Sequence, residues 1–292
     1  MYREKLVDLR VGAVQMFSRP DDVPRNLAKA ERFCDRAAKR GVKILCFPEC
    51  ASTGWDSKWL SDKRFRSRLY AEPVPGPIVR RLVAKAAETD MYIIFGLVEK
   101  LPNPRSRKIY NTAVVIGPSE GYMGKQRKVY SEAVFEDGTE ANVFNTRHGG
   151  IGIFICADQR SPELARLLAC KGANLLFQPT FYSIRGCSDS KRIKSLYIGK
   201  CAAQRSRAMD NGLHLIVANG GRLEYVNNSR IVGPGLQGPE PVLARATHRE
   251  QLLVADLKYD LNYSNPKERA RRTPWLFREL GREMMKLGRE FS

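Results

Sequence analysis

Short apolar runs alternate along the chain with longer segments whose apolar residues recur every three or four positions. The runs predict strands, and the periodic segments predict amphipathic helices. Strands are expected at 9–17, 42–47, 91–98, 110–117, 122–129, 151–156, 174–178, 213–218, near 231 and at 252–257. Helices are expected from Pro24 to Gly41 and over 78–88, 162–172, 190–211 and 275–287. Because strands and helices alternate throughout, the pattern predicts an α/β class with a largely buried sheet.

Residues that favour helix ends support these boundaries. Ser161-Pro162-Glu163 combines a capping hydroxyl, a proline in the first turn and an acid at the positive end of the helix dipole, so it predicts a helix start. No repeat, low-complexity tract or linker interrupts the pattern, so we expect one domain over residues 1–261. Residues 262–292 form a basic tail that we expect to pack on a neighbouring subunit or to cover this one.

Composition separates this chain from disordered and membrane proteins. Its 292 residues are 43% hydrophobic and 28% charged, as in ordinary globular proteins. The first residues lack the apolar run of a signal peptide, and no stretch has the roughly 18 apolar residues that a membrane span needs. We therefore expect a cytoplasmic protein with no membrane partner.

The net charge is the unusual property of the composition. The chain has 50 Lys and Arg residues against 31 Asp and Glu residues, a net charge of +19. That charge is compatible with polyanions and with acidic small molecules as partners, and it does not choose between them. The basic residues are spread along the chain without interleaved aromatic residues, so nucleic acid is not the expected partner.

The chain offers few residues for a metal or a nucleotide. Its 7 cysteines include no CxxC pair, which is typical of reduced thiols, and its 3 histidines have no metal-ligand spacing. Residues 233–238 match the letters GxGxxG, but Pro239 and Pro241 follow where a dinucleotide site needs a helix. We therefore expect no metal and no cofactor.

Three reactive side chains fall at the ends of predicted strands. Cys156 ends the strand 151–156 just before a helix, where helix-terminal donors are expected to favour the thiolate. Glu49 follows the run 42–47, and Lys128 ends the strand 122–129. Because ligands of open α/β sheets lie outside the carboxyl ends of the strands, these side chains can converge in one cleft.

Each of these residues also has an ordinary structural interpretation. Cys156 fits a small buried apolar side chain, Glu49 a solvated loop carboxylate, and Lys128 a charge on an exposed edge. Lys125 competes with Lys128, but an odd separation along a strand puts the two on opposite faces. Only one of them can reach the cleft.

Glu49, Lys128 and Cys156, in this chain order and each at its own strand end, resemble the Glu-Lys-Cys triad of the nitrilase superfamily of carbon-nitrogen hydrolases. The resemblance extends from about residue 9 to residue 257 and includes further landmarks at 110–128, 150–180, 205–211 and 217–220. It implies a four-layer αββα sandwich formed across a subunit pair, in a homodimer or a larger homo-oligomer.

Two departures from the family pattern affect the expected chemistry. The second active-site glutamate that the family often carries is matched best by Glu132, one position displaced, with Glu136 as its rival. Ala157 and Asp158 follow the cysteine where true nitrilases typically have tryptophan and glutamate. The resemblance therefore favours amide hydrolysis over nitrile hydrolysis.

The resemblance implies a cofactor-independent amidohydrolase that cleaves a non-peptide amide or N-carbamoyl bond through a thioester at Cys156. Glu49 would be the acid and base, while Lys128 and the backbone N–H of Ala157 would stabilise the oxyanion. Arg160 lies where some N-carbamoyl amino acid hydrolases of this superfamily hold the substrate carboxylate, and basic residues crowd the segment 185–207. We therefore expect a small-molecule substrate that bears a carboxylate.

Two other functions are compatible with the sequence. If Arg160 instead supports its own loop, no residue is assigned to the substrate carboxylate. The expected function is then that of an aliphatic amidase on neutral amides. Alternatively, the hydrolase site is idle and the basic chain is a scaffold that binds nucleic acid or another polyanion, an interpretation supported by the +19 charge alone.

Overall fold

The strands and helices lie close to where the apolar pattern predicts them. The computed structural model describes residues 5–55, 70–182, 189–220, 229–235, 242–262, 271 and 273–290. Within these ranges the strands are β1 (Leu6–Gln15), β2 (Ile44–Cys46), β3 (Tyr92–Lys100), β4 (Ile109–Gly117), β5 (Gly121–Arg127), β6 (Val143–Thr146), β7 (Gly149–Ile153), β8 (Ala173–Thr180), β9 (His214–Asn219), β10 (Arg230–Val232), β11 (Val242–Arg245) and β12 (Gln251–Asp260). The helices in the same ranges are α1 (Val23–Ala38), α2 (Pro77–Thr89), α3 (Pro162–Cys170), α4 (Ser190–Asn211) and α5 (Pro274–Glu290).

The strands form two sheets. In the described part of the chain, the first sheet has the order β12-β1-β2-β3-β4-β5 and the second has the order β11-β10-β9-β8-β7-β6. The central strands of each sheet run parallel, and the outer strands pair antiparallel. The apolar pattern did not predict β6 and β11, which are the outer strands of the second sheet. Their sequences mix polar and apolar residues because an edge strand is less completely covered.

The two sheets pack face to face, and helices cover their outer faces. Side chains from both sheets, such as Val11, Ile153 and Phe177, fill the central layer. A second apolar cluster lies between the first sheet and helices α1 and α2, and a third lies between the second sheet and helices α3 and α4. One chain therefore contains all four layers of an αββα sandwich, which confirms the fold class. The expectation that a subunit pair forms these layers is corrected, and the pairing itself stays a prediction.

Helix α5 lies in the basic tail. Its Phe277 and Leu280 side chains line a cavity of about 380 Å³ together with residues of α3, so this part of the tail lies beside α3 of its own subunit. Trp275, Met284 and Met285 of the same helix are exposed. Their packing on a neighbouring subunit stays a prediction. None of the described helices is long and apolar enough to cross a membrane.

Gly96 fixes the position of the chain that follows β2. This glycine lies in β3, and a Cβ atom there would lie 2.7 Å from the backbone nitrogen of Cys50 and 2.9 Å from the Cα of Glu49. Real Cβ atoms do not approach other heavy atoms so closely. The absence of a side chain at position 96 therefore lets the backbone of Glu49 pack directly on the sheet.

We expect Gly96→Ala to lower the free energy of unfolding by about 1–3 kcal/mol, the usual cost of overpacking a core. Urea denaturation measures this loss. Gly281→Ala is the matched control, because no heavy atom lies within 4 Å of a Cβ at that position of α5. This control should leave the protein unchanged or stabilise it by about 0.5–1 kcal/mol. Equal stability of Gly96→Ala and the wild type would contradict the close packing.

Candidate active site

A fully buried ammonium group lies at the centre of the candidate site. Lys128 directly follows β5 and has no solvent exposure. Its Nζ donates to Glu49 Oε1 at 2.8 Å and to Glu132 Oε1 at 2.7 Å. Burial acts to lower the pKa of Lys128, but the negative charges of Glu49 and Glu132 outweigh it and raise that pKa above its ordinary value. The surroundings of Lys128 therefore favour its charged form.

Glu49 is held by three donors from three parts of the chain. Besides Lys128, the Asn111 side chain donates to Glu49 Oε1 at 2.6 Å, and the Phe181 backbone N–H donates to Glu49 Oε2 at 2.7 Å. Asn111 lies in β4, and its carbonyl also accepts the backbone N–H of Lys128 at 2.8 Å. Asn111 was not among the site residues predicted from the sequence. A polar amide inside the otherwise apolar strand run 110–117 was the available signal.

Cys156 begins a 3-10 turn, Cys156–Arg160, shortly after β7 and has a left-handed backbone with φ 48°. Its side chain is buried. Burial is the main cause that raises the pKa of Cys156 to about 12, and the Glu49 charge adds to it against the opposing charge of Lys128. The expectation that helix-terminal donors favour the thiolate is therefore corrected, because burial and the neighbouring carboxylate dominate.

The strand ends that carry these residues belong to different sheets. Glu49 and Lys128 follow strands of the first sheet, whereas Cys156 follows β7 of the second. We expected the strand ends to converge within one sheet. The face-to-face packing of two sheets brings them together instead.

Asp158 joins the cysteine turn to the chain after Lys128. Asp158 is fully buried, and its carboxylate accepts the backbone N–H groups of Val129 at 3.0 Å, Tyr130 at 2.8 Å and Ile155 at 2.8 Å. Burial raises the pKa of Asp158 to about 6. In the sequence, Asp158 is notable only as a departure from nitrilases. Its three contacts show that it positions the two segments against each other.

The structure separates the two rival glutamates and the two rival lysines. Glu132 contacts the Lys128 ammonium, whereas Glu136 is exposed and lies 3.5 Å from Lys108. Lys125 Nζ lies 2.5 Å from a carboxylate oxygen of Glu99, away from the cluster. This geometry favours Glu132 and Lys128 as the members of the candidate site.

A cavity of about 650 Å³ borders the cluster. Glu132 of the cluster, Ala157 and the exposed Arg160 line this cavity. Glu163 lies on the same cavity wall, with a carboxylate oxygen that accepts the Ser161 hydroxyl at 2.8 Å. Within the described residues, no group of three or more His, Cys, Asp or Glu side chains could hold a metal ion.

Comparison with known proteins identifies the family of the chain. The model of the carbon-nitrogen hydrolase family matches residues 10–264. The chain belongs to the carbon-nitrogen hydrolase family. This match confirms the resemblance to the nitrilase superfamily and the expectation that the protein is a hydrolase of carbon–nitrogen bonds.

Relatives of this carbon-nitrogen hydrolase include omega-amidases. The chain is 30% identical to omega-amidase NIT2 of Xenopus tropicalis over 277 residues, which cover 88% of this chain and 91% of that protein. It is 27% identical to omega-amidase NIT2 of Homo sapiens over 274 residues, 88% of each chain.

Two solved structures have the same fold. Nit3 of Saccharomyces cerevisiae, a member of branch 10 of the nitrilase superfamily, matches with a TM-score of 0.72 at 24% identity over 91% of this chain and 94% of that one. A mutant of the nitrilase-superfamily amidase of Nesterenkonia AN1 matches with a TM-score of 0.66 at 22% identity over 85% of this chain and 90% of that one.

At neutral pH we expect Cys156 of this carbon-nitrogen hydrolase to be a protonated thiol, because burial and Glu49 raise its pKa to about 12. Thiolate absorbance in the ultraviolet measures this state as the difference between the wild type and Cys156→Ala. The difference should be absent at neutral pH and appear only at strongly alkaline pH. Glu49→Gln removes the neighbouring negative charge, so it should move the onset to lower pH. A full thiolate signal at neutral pH would contradict the prediction.

Proposed function

We propose that the protein hydrolyses the amide or N-carbamoyl bond of a small, carboxylate-bearing molecule through a thioester at Cys156. The observation that carries the proposal is the buried cluster in which the Lys128 ammonium contacts Glu49 and Glu132 beside the cysteine. The omega-amidase relatives support a substrate whose amide lies at one end of a carboxylic acid.

The acylation half of the reaction begins with the Cys156 thiol. Its sulfur attacks the amide carbonyl carbon while Glu49 takes the thiol proton. A thiolate of high pKa is intrinsically a strong nucleophile, so the raised pKa of Cys156 suits a proton transfer coupled to the attack. Lys128 and the backbone N–H of Ala157 stabilise the negative oxygen of the tetrahedral intermediate. Glu49 then donates its proton to the departing nitrogen, which leaves as ammonia or an amine, and the thioester remains.

The deacylation half uses the same residues in the same roles. Glu49 takes a proton from a water molecule, whose oxygen attacks the thioester carbonyl. The carbon–sulfur bond then breaks, the acid product leaves, and Glu49 returns the proton to the Cys156 sulfur. Glu132 acts through Lys128, since both of its carboxylate oxygens accept from that ammonium, at 2.7 and 2.9 Å.

Ammonia release measured across three substrate classes tests the proposed reaction. We expect release from short amides that bear a carboxylate or from N-carbamoyl amino acids, and none from nitriles. Release from nitriles alone would overturn the proposal. Equal kcat/KM for an acid-bearing amide and its neutral analogue would leave an aliphatic amidase as the function.

Substitutions in the cluster should abolish specific steps. We expect Cys156→Ala to form no thioester detectable by mass spectrometry, and Glu49→Gln to lower kcat by about 10²- to 10⁴-fold, the usual contribution of a positioned acid-base group. Glu132→Gln should lower kcat, whereas Glu136→Gln is the matched control and should not, because Glu136 is exposed and away from Lys128. Undiminished turnover in Cys156→Ala, Glu49→Gln or Lys128→Ala would remove that residue from the mechanism.

Arg160 is proposed to hold the substrate carboxylate. An arginine fork binds a carboxylate with two parallel hydrogen bonds, which orients the carbonyl over the sulfur. We expect Arg160→Ala to raise KM for an acid-bearing amide more than it lowers kcat, and to leave KM for a neutral amide unchanged. Steady-state kinetics on both substrates measure the difference. An equal effect on the two would indicate that Arg160 only supports its loop.

A further inference from the structure

A second cation lies beside the nucleophile, on helix α4. The Nζ of Lys200 lies 3.6 Å from the centre of the Tyr182 ring, and the lysine is half-buried. Tyr182 in turn belongs to the wall around the cysteine. The side-chain nitrogen of Gln178 donates both to the carbonyl of Cys156, at 3.1 Å, and to the Tyr182 hydroxyl, at 3.3 Å. Lys200 therefore contacts Tyr182, and Tyr182 is joined to Cys156 through the side chain of Gln178.

One face of α4 points at the cysteine turn. Lys200, Gln204 and Arg207 are four and three residues apart, a spacing that puts them on the same side of a helix. Gln204 donates to the side-chain oxygen of Gln178 at 3.0 Å, and Arg207 donates to the carbonyl of Gln159 at 3.0 Å. The Gln159 carbonyl lies in the turn that begins with Cys156. These contacts fix the position of Lys200 at the edge of the turn.

The charge of Lys200 has no carboxylate partner within the part of the chain that the structure describes. Burial lowers the pKa of Lys200, and the charge of Arg160 acts in the same direction while Cys156 opposes it. Arg160 directly follows Gln159, whose carbonyl accepts from Arg207 on the same face of α4, so the two cations lie at the same edge of the cysteine turn and their like charges repel each other. In the described ranges Arg160 has no ion pair either. An anion between Lys200 and Arg160 would relieve this repulsion.

We propose that Lys200, seated on the ring of Tyr182, forms with Arg160 an anion subsite that receives the carboxylate of the substrate while its amide lies at Cys156. This inference rests on the proposed function and adds a specificity-determining residue to it. The other basic residues of the segment 185–207 do not share this position. Lys191 and Lys194 are exposed, and Arg185 lies outside the described residues.

Kinetics with two amides of equal length test the subsite. Succinamate carries a carboxylate where butyramide carries a methyl group. We expect Lys200→Met, which keeps an unbranched chain on Tyr182, to raise KM for succinamate about tenfold, which corresponds to about 1.4 kcal/mol. Its kcat should change by less than about twofold, since the lost contact is made equally in the ground state and the transition state. KM for butyramide should not change.

Two further variants make the kinetic result specific. Lys200→Arg keeps the positive charge and should restore most of the affinity for succinamate. Lys194→Met removes an exposed lysine from the same helix and should behave as the wild type. An equal rise of KM for both amides in Lys200→Met would show a structural role alone and would overturn the subsite, as would unchanged KM for succinamate.

A binding measurement separates failure of the subsite from failure of the proposed reaction. Butyrate, which carries the carboxylate of succinamate and a methyl group in place of its amide, should protect Cys156 from alkylation by iodoacetamide, as followed by mass spectrometry of the cysteine-containing peptide. The half-protecting concentration should rise about tenfold in Lys200→Met, by the same loss of affinity. Lys200-dependent protection without ammonia release from either amide would overturn the proposed reaction and retain the subsite. Succinamate hydrolysis with no dependence on Lys200 would overturn the subsite and retain the reaction.

Discussion

The contact between the buried Lys128 ammonium and the carboxylates of Glu49 and Glu132 is the constraint on which the site depends. A cation without solvent exposure is costly unless opposite charges lie within hydrogen-bond distance. Removing one member of such a buried pair generally costs about 3–5 kcal/mol, because the remaining charge has no compensation. The ends of β2 and β5 must therefore stay in contact, and the tight packing of Gly96 against the backbone of Glu49 and Cys50 serves this requirement.

The charges of this cluster affect the pKa of the Cys156 thiol. Two carboxylates surround one ammonium, so a thiolate would add a third negative charge to a buried site. Burial and the Glu49 charge accordingly raise the pKa values of both Cys156 and Glu132. We therefore expect Cys156 to stay protonated until its sulfur attacks the amide carbonyl. The cluster thus favours loss of the thiol proton during the attack over a thiolate that exists before the substrate binds.

The sequence was informative where a residue's role follows from its position at a strand end. Glu49 and Cys156 could be proposed in this way because each lies at the end of an apolar run, whereas Lys128 ends a strand that is mostly polar. The odd spacing of Lys125 and Lys128 placed these two lysines on opposite faces of that strand. The two-sheet architecture could not be derived from the apolar pattern, because a buried strand has the same sequence character in either sheet. Asn111 and Asp158 were missed as site residues for a related reason. Their contacts join segments that are distant in sequence, such as Asp158 with Val129 and Tyr130.

The same charges that control the nucleophile also constrain how an acidic substrate can lie in the cleft. A carboxylate placed at the cluster would meet Glu49 and Glu132 in a site of low dielectric, where like charges repel strongly. The carbonyl oxygen of an amide carries little charge until the sulfur attacks, and in the proposed mechanism Lys128 stabilises that oxygen only then. An acid-bearing amide is therefore best accommodated with its amide at Cys156 and its carboxylate toward Lys200 and Arg160. The reversed orientation would put the carboxylate beside Glu49 and Glu132 and leave a neutral amide beside the two cations, so the positions of the charges favour one orientation of the substrate.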